Sequence, residues 1–274
     1  MKKLLKTILI LCTVLLQPIS VQANSGIDER AIPYAQKLYS VMHYMGIPDI
    51  NVAGMLANFQ AESYLDSSTV EGVWDELFMI GGKKQQFNQN PTAFFHDFVV
   101  DKWTQQGVTL NTVAYKASDG NYYPGVGLGA WTGENCRKLI SKANELGLDW
   151  WDFDFQLAYA ISNQYRDGVV RGWTEPAVSL DESAFWFMEN FEGYSRNWSP
   201  LAHKRLQYTP VFYDMIVGEN WSQQVDEEYA KKIIALADSM DGTNTLEELQ
   251  QDKIAKHVLE STTKILVQFL DLTK

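Results

Sequence analysis

Between Asn51 and Tyr64 the chain carries one charged side chain, Glu62. Val52, Met55, Leu56 and Phe59 in this stretch fall at i, i+3, i+4 and i+7. That spacing predicts a helix with one face in a core. The same period runs through most of the sequence. Residues 28–45 read as a helix ending at Gly46, and Asp49 or Asn51 is placed to cap the next one. Asn90-Pro91 opens a helix through Trp103. Thr132 starts another that Gly147 stops, and Asp154 starts a further one. Ser179 and Glu182 form a capping box, with Gly193 as the stop. Ser199-Pro200 repeats the cap-and-proline signal. Asp119-Gly120, between short aromatic and β-branched runs, signals a hairpin, and a loop with Gly125, Gly127 and Gly129 follows. The expectation is a mainly α fold: a helical body with a small β-hairpin inserted.

The two ends differ from this body. Lys2, Lys3 and Lys6 precede an apolar run from Ile8 to about Leu16, and Val21-Gln22-Ala23 follows. This is the order of a secretory signal peptide. The run is too short to span a membrane well. Cys12 is preceded by Leu11, where a lipid-attachment signal requires a small residue. Residues 1–23 are therefore expected to be removed, with 24–218 as the main domain and 219–274 as a helical extension. In that extension two charged amphipathic segments flank Asp241-Gly242-Thr243, which predicts a helical hairpin.

After removal of the signal, Cys136 is the remaining cysteine, so no internal disulfide is expected. The core must then come from apolar packing, for which 46% hydrophobic residues and nine Trp are available. Three basic residues leave with residues 1–23, so 20 Lys and Arg face 34 Asp and Glu, a net charge of −14. That balance argues against nucleic acid, whose binding needs basic patches. No further run is long and apolar enough for a membrane anchor. The chain is expected to be secreted and extracytoplasmic.

His43, His96, His203 and His257 lack metal-ligand spacing, and no nucleophile elbow or phosphate-binding loop is present. No metal or cofactor is expected. Carboxylate chemistry remains. On a wheel of ~100° per residue, Glu62 lies about 60° from Phe59 and about 20° from Met55. It sits at the margin of the core face, in the last turn. Partial burial and the negative end of the helix dipole both favour a protonated carboxyl, which is what a general acid requires. Against this stands a plain solvated helix end, which spacing alone favours. Aromatics near these segments, among them Tyr64, Trp74, Tyr122, Tyr123, Trp131, Tyr194 and Trp198, could stack on sugar rings or fill the core.

Three ordered blocks add to this reading. "INVAGMLANFQAES" resembles the opening motif of the phage tail lysozyme family, an "AG-x-x-x-N-x-x-x-ES" helix ending in the catalytic glutamate. Ala53-Gly54, Asn58 and Glu62-Ser63 match it. "VGLGAWTGENCRKLISKANELGLDWWDFDFQLAY" resembles the second block through Gly127, Leu128, Trp131, Thr132, Gly147-Leu148-Asp149-Trp150, Asp154, Gln156 and Leu157. "FWFMENFEGYSRNW", continued by His203-Lys204-Arg205, is similar to the closing "F-x-x-x-FE" block. Together the blocks cover roughly residues 30–215.

The resemblance implies a lysozyme-like fold and a peptidoglycan substrate. It implies cleavage between N-acetylmuramic acid and N-acetylglucosamine, with Glu62 as general acid. Ser63, Tyr123, Trp131 and Tyr194 are the further candidates for substrate contact. Two departures stand out. Ala130 occupies the position where the family usually has Gln, and about 65 residues separate Glu62 from the Gly-Leu turn. Both favour a rival reading, a non-catalytic wall-binding or scaffold protein on a lysozyme frame. For a second carboxylate, Asp66, Glu71, Asp75, Glu76 and Asp119 are open candidates. A lytic transglycosylase, which needs one glutamate, fits as well as a hydrolase. With no wall-binding module evident, a protein partner engaging residues 222–274 is expected to localise the enzyme.

Overall fold

The computed structural model describes residues 26–70, 115–197 and 199–242. The signal peptide, the Asn90–Trp103 helix and the second arm of the C-terminal hairpin lie outside the described residues. So do Trp74, Trp198, Glu71, Asp75 and Glu76. The described chain is mainly helical. A 3₁₀ turn leads into α1 (Ile32–Tyr44), followed by α2 (Asp49–Ser63). A two-stranded pair, β1 (Tyr115–Lys116) and β2 (Tyr122–Tyr123), comes next. Then come α3 (Glu134–Leu146), α4 (Phe153–Ile161), α5 (Leu180–Phe187), α6 (Ser199–Gly218) and α7 (Glu227–Met240). None of these helices is long and apolar enough to cross a membrane.

α2 is the axis of the molecule. Eleven of its fifteen residues are buried, more than one stripe would bury, because α5 and α6 pack along it. A helix enclosed on most sides cannot carry charges, which explains why its sequence has none from Ile50 to Ala61. Gly54 permits the closest approach. A Cβ there would lie 2.5 Å from Ser183 Oγ and 2.6 Å from the Ser183 carbonyl carbon on α5. Phe59 fills the next layer, meeting Phe187 edge-on at 5.3 Å and Phe191 at 5.7 Å. The two asparagines of α2 are tied to backbone, whereas the buried Gln60 amide has no hydrogen-bond partner among the described residues. Asn51 donates to the Trp173 and Glu175 carbonyls and accepts from Ala177 N–H.

The helix boundaries follow local chemistry. Asp152, not Asp154, caps α4, accepting from Phe155 N–H at 2.9 Å. Asp154 instead faces α7, where its carboxylate accepts from Tyr229 Oη and Lys232 Nζ. Ser179 caps α5 by accepting from Glu182 N–H. Pro48 precedes α2 with no side-chain cap. Tyr115 pairs with Tyr123 and Lys116 with Tyr122, antiparallel. Gly120, at φ +87°, makes the tight reversal between them possible. α7 packs against α1 and α4. Its Ala230, Ile233 and Ala237, with Trp221 before it, are buried in the same apolar cluster as α1 and α2.

Candidate active site

Glu62 occupies the last turn of α2. The helix then breaks sharply, with Tyr64 at φ 58° and Leu65 at φ 60°. Two successive left-handed residues without glycine cost on the order of 1–2 kcal/mol each. The turn is held because Tyr64 N–H and Leu65 N–H close back on the Gln60 and Phe59 carbonyls. The Ser63 hydroxyl then donates to the Phe59 and Leu128 carbonyls, each at 3.0 Å. This ties the end of α2 to the Gly-Leu turn.

That turn is built around Gln156. Its Oε1 accepts from Leu128 N–H at 2.8 Å, and its Nε2 donates to the Ser67 and Trp150 carbonyls. A Cβ on Gly127 would sit 2.3 Å from the Gln156 amide, so glycine is required both for that approach and for φ +66°. Gly127 N–H also donates to the Thr69 carbonyl at 2.9 Å. The loop after Glu62, the Gly-Leu turn and α4 thus form one hydrogen-bonded unit.

The carboxyl of Glu62 is 15% exposed and is gripped by Arg205 from α6. Arg205 Nη2 donates to Glu62 Oε1 and also to Glu192 Oε2. Its Nε donates to Asn58 Oδ1 at 2.5 Å. Asn58 is held in turn by donating to the Gly54 and Ala184 carbonyls. Lys204 approaches from the same helix, donating to the Ala61 carbonyl at 3.2 Å with its ammonium 5.1 Å from the Tyr64 ring centre.

Glu192 reaches this cluster because α5 ends in a turn of π-helix, Met188–Glu192. Gly193, at φ +83°, then reverses the chain. The Glu192 side chain is 2% exposed, and its Oε1 has no hydrogen-bond partner among the described residues. Arg166 Nη2 fixes the Glu192 carbonyl at 3.1 Å. Arg196 braces the turn from outside by pairing with Glu182 and Glu189.

Two buried carboxyls on one guanidinium leave a net negative charge, and burial disfavours it. Burial raises Glu62 above the ordinary carboxyl range, while Arg205 and then Lys204 oppose the rise. Burial and the charge of Glu62 push Glu192 up to about 8, again against Arg205. The two carboxyls therefore titrate as a coupled pair through Arg205, and burial favours keeping a proton on one of them. Glu62 is the member of the pair with access to solvent.

The structure distributes the other candidates. Ser63 is buried and serves the helix end. Trp131 is 1% exposed, edge-on to Tyr159 and Tyr165 in the core. Tyr123 is buried with its hydroxyl on Asp119 at 2.8 Å. Tyr194 is partly exposed on the loop after Glu192, which puts it beside the cluster in sequence. Among the open carboxylates, Asp66 is buried and accepts from the Ser68 N–H and hydroxyl. Asp119 is an exposed turn residue, held below the usual range by the Asn121 N–H and the Tyr123 hydroxyl. Neither shares a partner with Glu62 in the described contacts. Arg205 and Glu192 do, and neither was a candidate from the sequence. Their signal was present in the closing block, as the "FE" of Phe191-Glu192 and the basic Lys204-Arg205.

The family model described as phage tail lysozyme matches residues 33–216. A search of curated proteins and a search of solved structures found no match.

Proposed function

The chain belongs to the phage tail lysozyme family, and from that premise we propose that it cleaves peptidoglycan glycan strands with Glu62 as general acid. Membership supports a lysozyme-like, peptidoglycan-cleaving role. The observation that supports Glu62 is its place at the broken end of a buried helix. It is shielded enough to hold a proton and exposed enough to give it up. In this reading the bond cut is the one between N-acetylmuramic acid and N-acetylglucosamine. Glu62 protonates the leaving oxygen as the bond breaks. Arg205 then stabilises the carboxylate that forms.

The protein acts outside the cytoplasm, exported through residues 1–23, and opens the wall locally for a mobile-element or secretion apparatus. Its own leader motivates that context over a virion part. Localisation by a partner is assigned to residues 243–274. α7 packs into the core, so deleting from residue 222 would damage the fold and confuse the test. Truncation after Gly242 should preserve muropeptide release while abolishing partner association and wall localisation. Unchanged association would rule the partner role out.

Purified protein on purified peptidoglycan tests the chemistry. Soluble muropeptides should appear with the wild type, and release should fall at least a thousandfold in Glu62→Gln. Mass spectrometry of the product ends assigns the reaction: reducing ends mean hydrolysis, anhydro ends mean transglycosylation. The rival, a non-catalytic binding protein, is favoured by Ala130 and would bind the wall without releasing fragments.

A further inference from the structure

Arg205 presents a difficulty for a general acid. A guanidinium in contact with a carboxyl favours its ionised form, typically by one to three pKa units. Alone, Arg205 would strip Glu62 of the proton it must donate. The geometry resolves this, because the nitrogen that touches Glu62 also touches Glu192 from the buried side. We propose that Glu192 is a positioning residue for the cleavage reaction: it takes up the charge of Arg205 whenever Glu62 carries the proton, and it holds Arg205 ready for Glu62 once the proton has left. The inference rests on the reading of Glu62 as the acid.

Three features of the site fit this arrangement. Glu192 cannot be a second substrate-facing carboxylate, because its side chain is 2% exposed. Its position is constructed, by the π-turn, by Gly193 in the left-handed region and by Arg166 on its carbonyl. Arg205 is kept in reach of both carboxyls by Asn58, itself anchored to two backbone carbonyls. Among the described residues, few charged and titratable groups surround the pair. From α2 there is Glu62, and from α6 Lys204 and Arg205. From the segment beside the π-turn there are Arg166 and Tyr165, whose hydroxyl donates to the Phe191 carbonyl at 3.2 Å. Lys204 and Arg166 are fixed on backbone carbonyls; Lys204 adds a constant positive charge that favours ionised Glu62, and Glu192 is the described carboxyl that shares Arg205 with it.

The step conserves charge. Before cleavage the pair holds one proton: the charge of ionised Glu62 pushes Glu192 up, and when the proton sits on Glu62 instead that push is gone and Arg205 pairs with ionised Glu192. The proton then moves from Glu62 to the glycosidic oxygen as its bond to the sugar carbon breaks, and that carbon bonds to the oxygen of water or of the sugar's own hydroxyl, which releases its proton. Afterwards Glu62 is ionised and shares Arg205 with Glu192 until a proton returns from solvent.

The test is the pH profile of muropeptide release by the full chain. Glu192→Gln keeps an acceptor on Arg205 but deletes the charge. Glu62 is then paired with an uncompensated guanidinium, and its pKa falls. Activity requires protonated Glu62, so the alkaline limb of kcat should move to lower pH by about one unit, with KM unchanged. The double variant Glu192→Gln with Arg205→Met removes both charges and should return the limb to its wild-type position. If Glu192→Gln fails to fold, the double variant carries the test by itself, and a lowered limb there overturns the proposal. An unmoved limb in folded Glu192→Gln, or a uniform loss of activity at every pH, also overturns it. If Glu62→Gln retained activity, the reading of Glu62 would fall first. If Glu62→Gln is inactive and the limb does not move, only the role of Glu192 falls.

Discussion

At the scale of single residues, the molecule is specified by positions where two constraints coincide. Gly54 is one. It lies inside a helix, where glycine costs about 1 kcal/mol relative to alanine, yet α5 crosses so closely that a methyl group would meet the Ser183 backbone at 2.6 Å. Gly54→Ala should therefore destabilise the fold by about 2–3 kcal/mol despite its better helix propensity. Denaturant unfolding would register this as a lower midpoint with an unchanged slope; a raised midpoint would mean that α5 yields easily. Gln156 shows the same economy, since one amide holds Leu128, Ser67 and Trp150 together. The matched residues of the family blocks are in large part of this kind. Gly54, Asn58, Ser63, Gly127 and Gln156 build the frame in which Glu62 is presented.

At the scale of elements, the central helix is as apolar as its surroundings demand, and the helices around it carry local irregularities. The π-turn ending α5 aims Glu192 inward. α6 supplies Lys204 and Arg205 from its first half and contains Pro210 within its span. Proline there removes the N–H that would reach the Leu206 carbonyl and crowds that carbonyl with its ring. Pro210 is exposed, so no packing depends on it. Pro210→Ala should stabilise the protein by about 1–2 kcal/mol, measurable as a raised thermal midpoint. A lowered midpoint would show that the proline is needed for α6 to lie along α2. The cap signals were legible in sequence at Ser179, Gly147 and Gly193, because capping is decided within a few residues. The cap of α4 is Asp152, two positions before the Asp154 that the sequence pattern favours. Asp152 and Asp154 are both acidic and flank Phe153, and only the packing of α7 shows that Asp154 belongs to Tyr229 and Lys232.

At the scale of the whole molecule, buried ionisable groups make stability depend on pH in two opposite ways. Glu192 has a folded-state value near 8, above the ordinary 4.5. Its contribution is fully present below about pH 4.5 and is lost as pH rises through about 8. Burial alone would raise Asp154, but Lys232, Tyr229 and Lys37 hold it below its ordinary value. Its contribution is lost as pH falls through that lowered value. The thermal midpoint should therefore decline towards alkaline pH, and Glu192→Gln should flatten that decline. In the acid range, Tyr229→Phe with Lys232→Ala should weaken the dependence that comes from Asp154. Identical alkaline slopes for wild type and Glu192→Gln would show that the carboxyl pair holds no proton in the folded state.

The sequence by itself determined the helical class, several helix ends and the order of the three family blocks. Each depends on neighbours a few positions apart or on a pattern along the chain. It also marked Glu62, because a lone charge in an apolar helix is visible without a structure. Only the tertiary structure decided what surrounds that charge. Arg205 lies 143 residues from Glu62, Glu192 arrives through a π-turn, and Trp131, an aromatic that suited a sugar, turned into the core. Charge compensation and burial are properties of groups brought together in space. Spacing along a chain carries no record of which distant side chain will meet a carboxyl, or from which side.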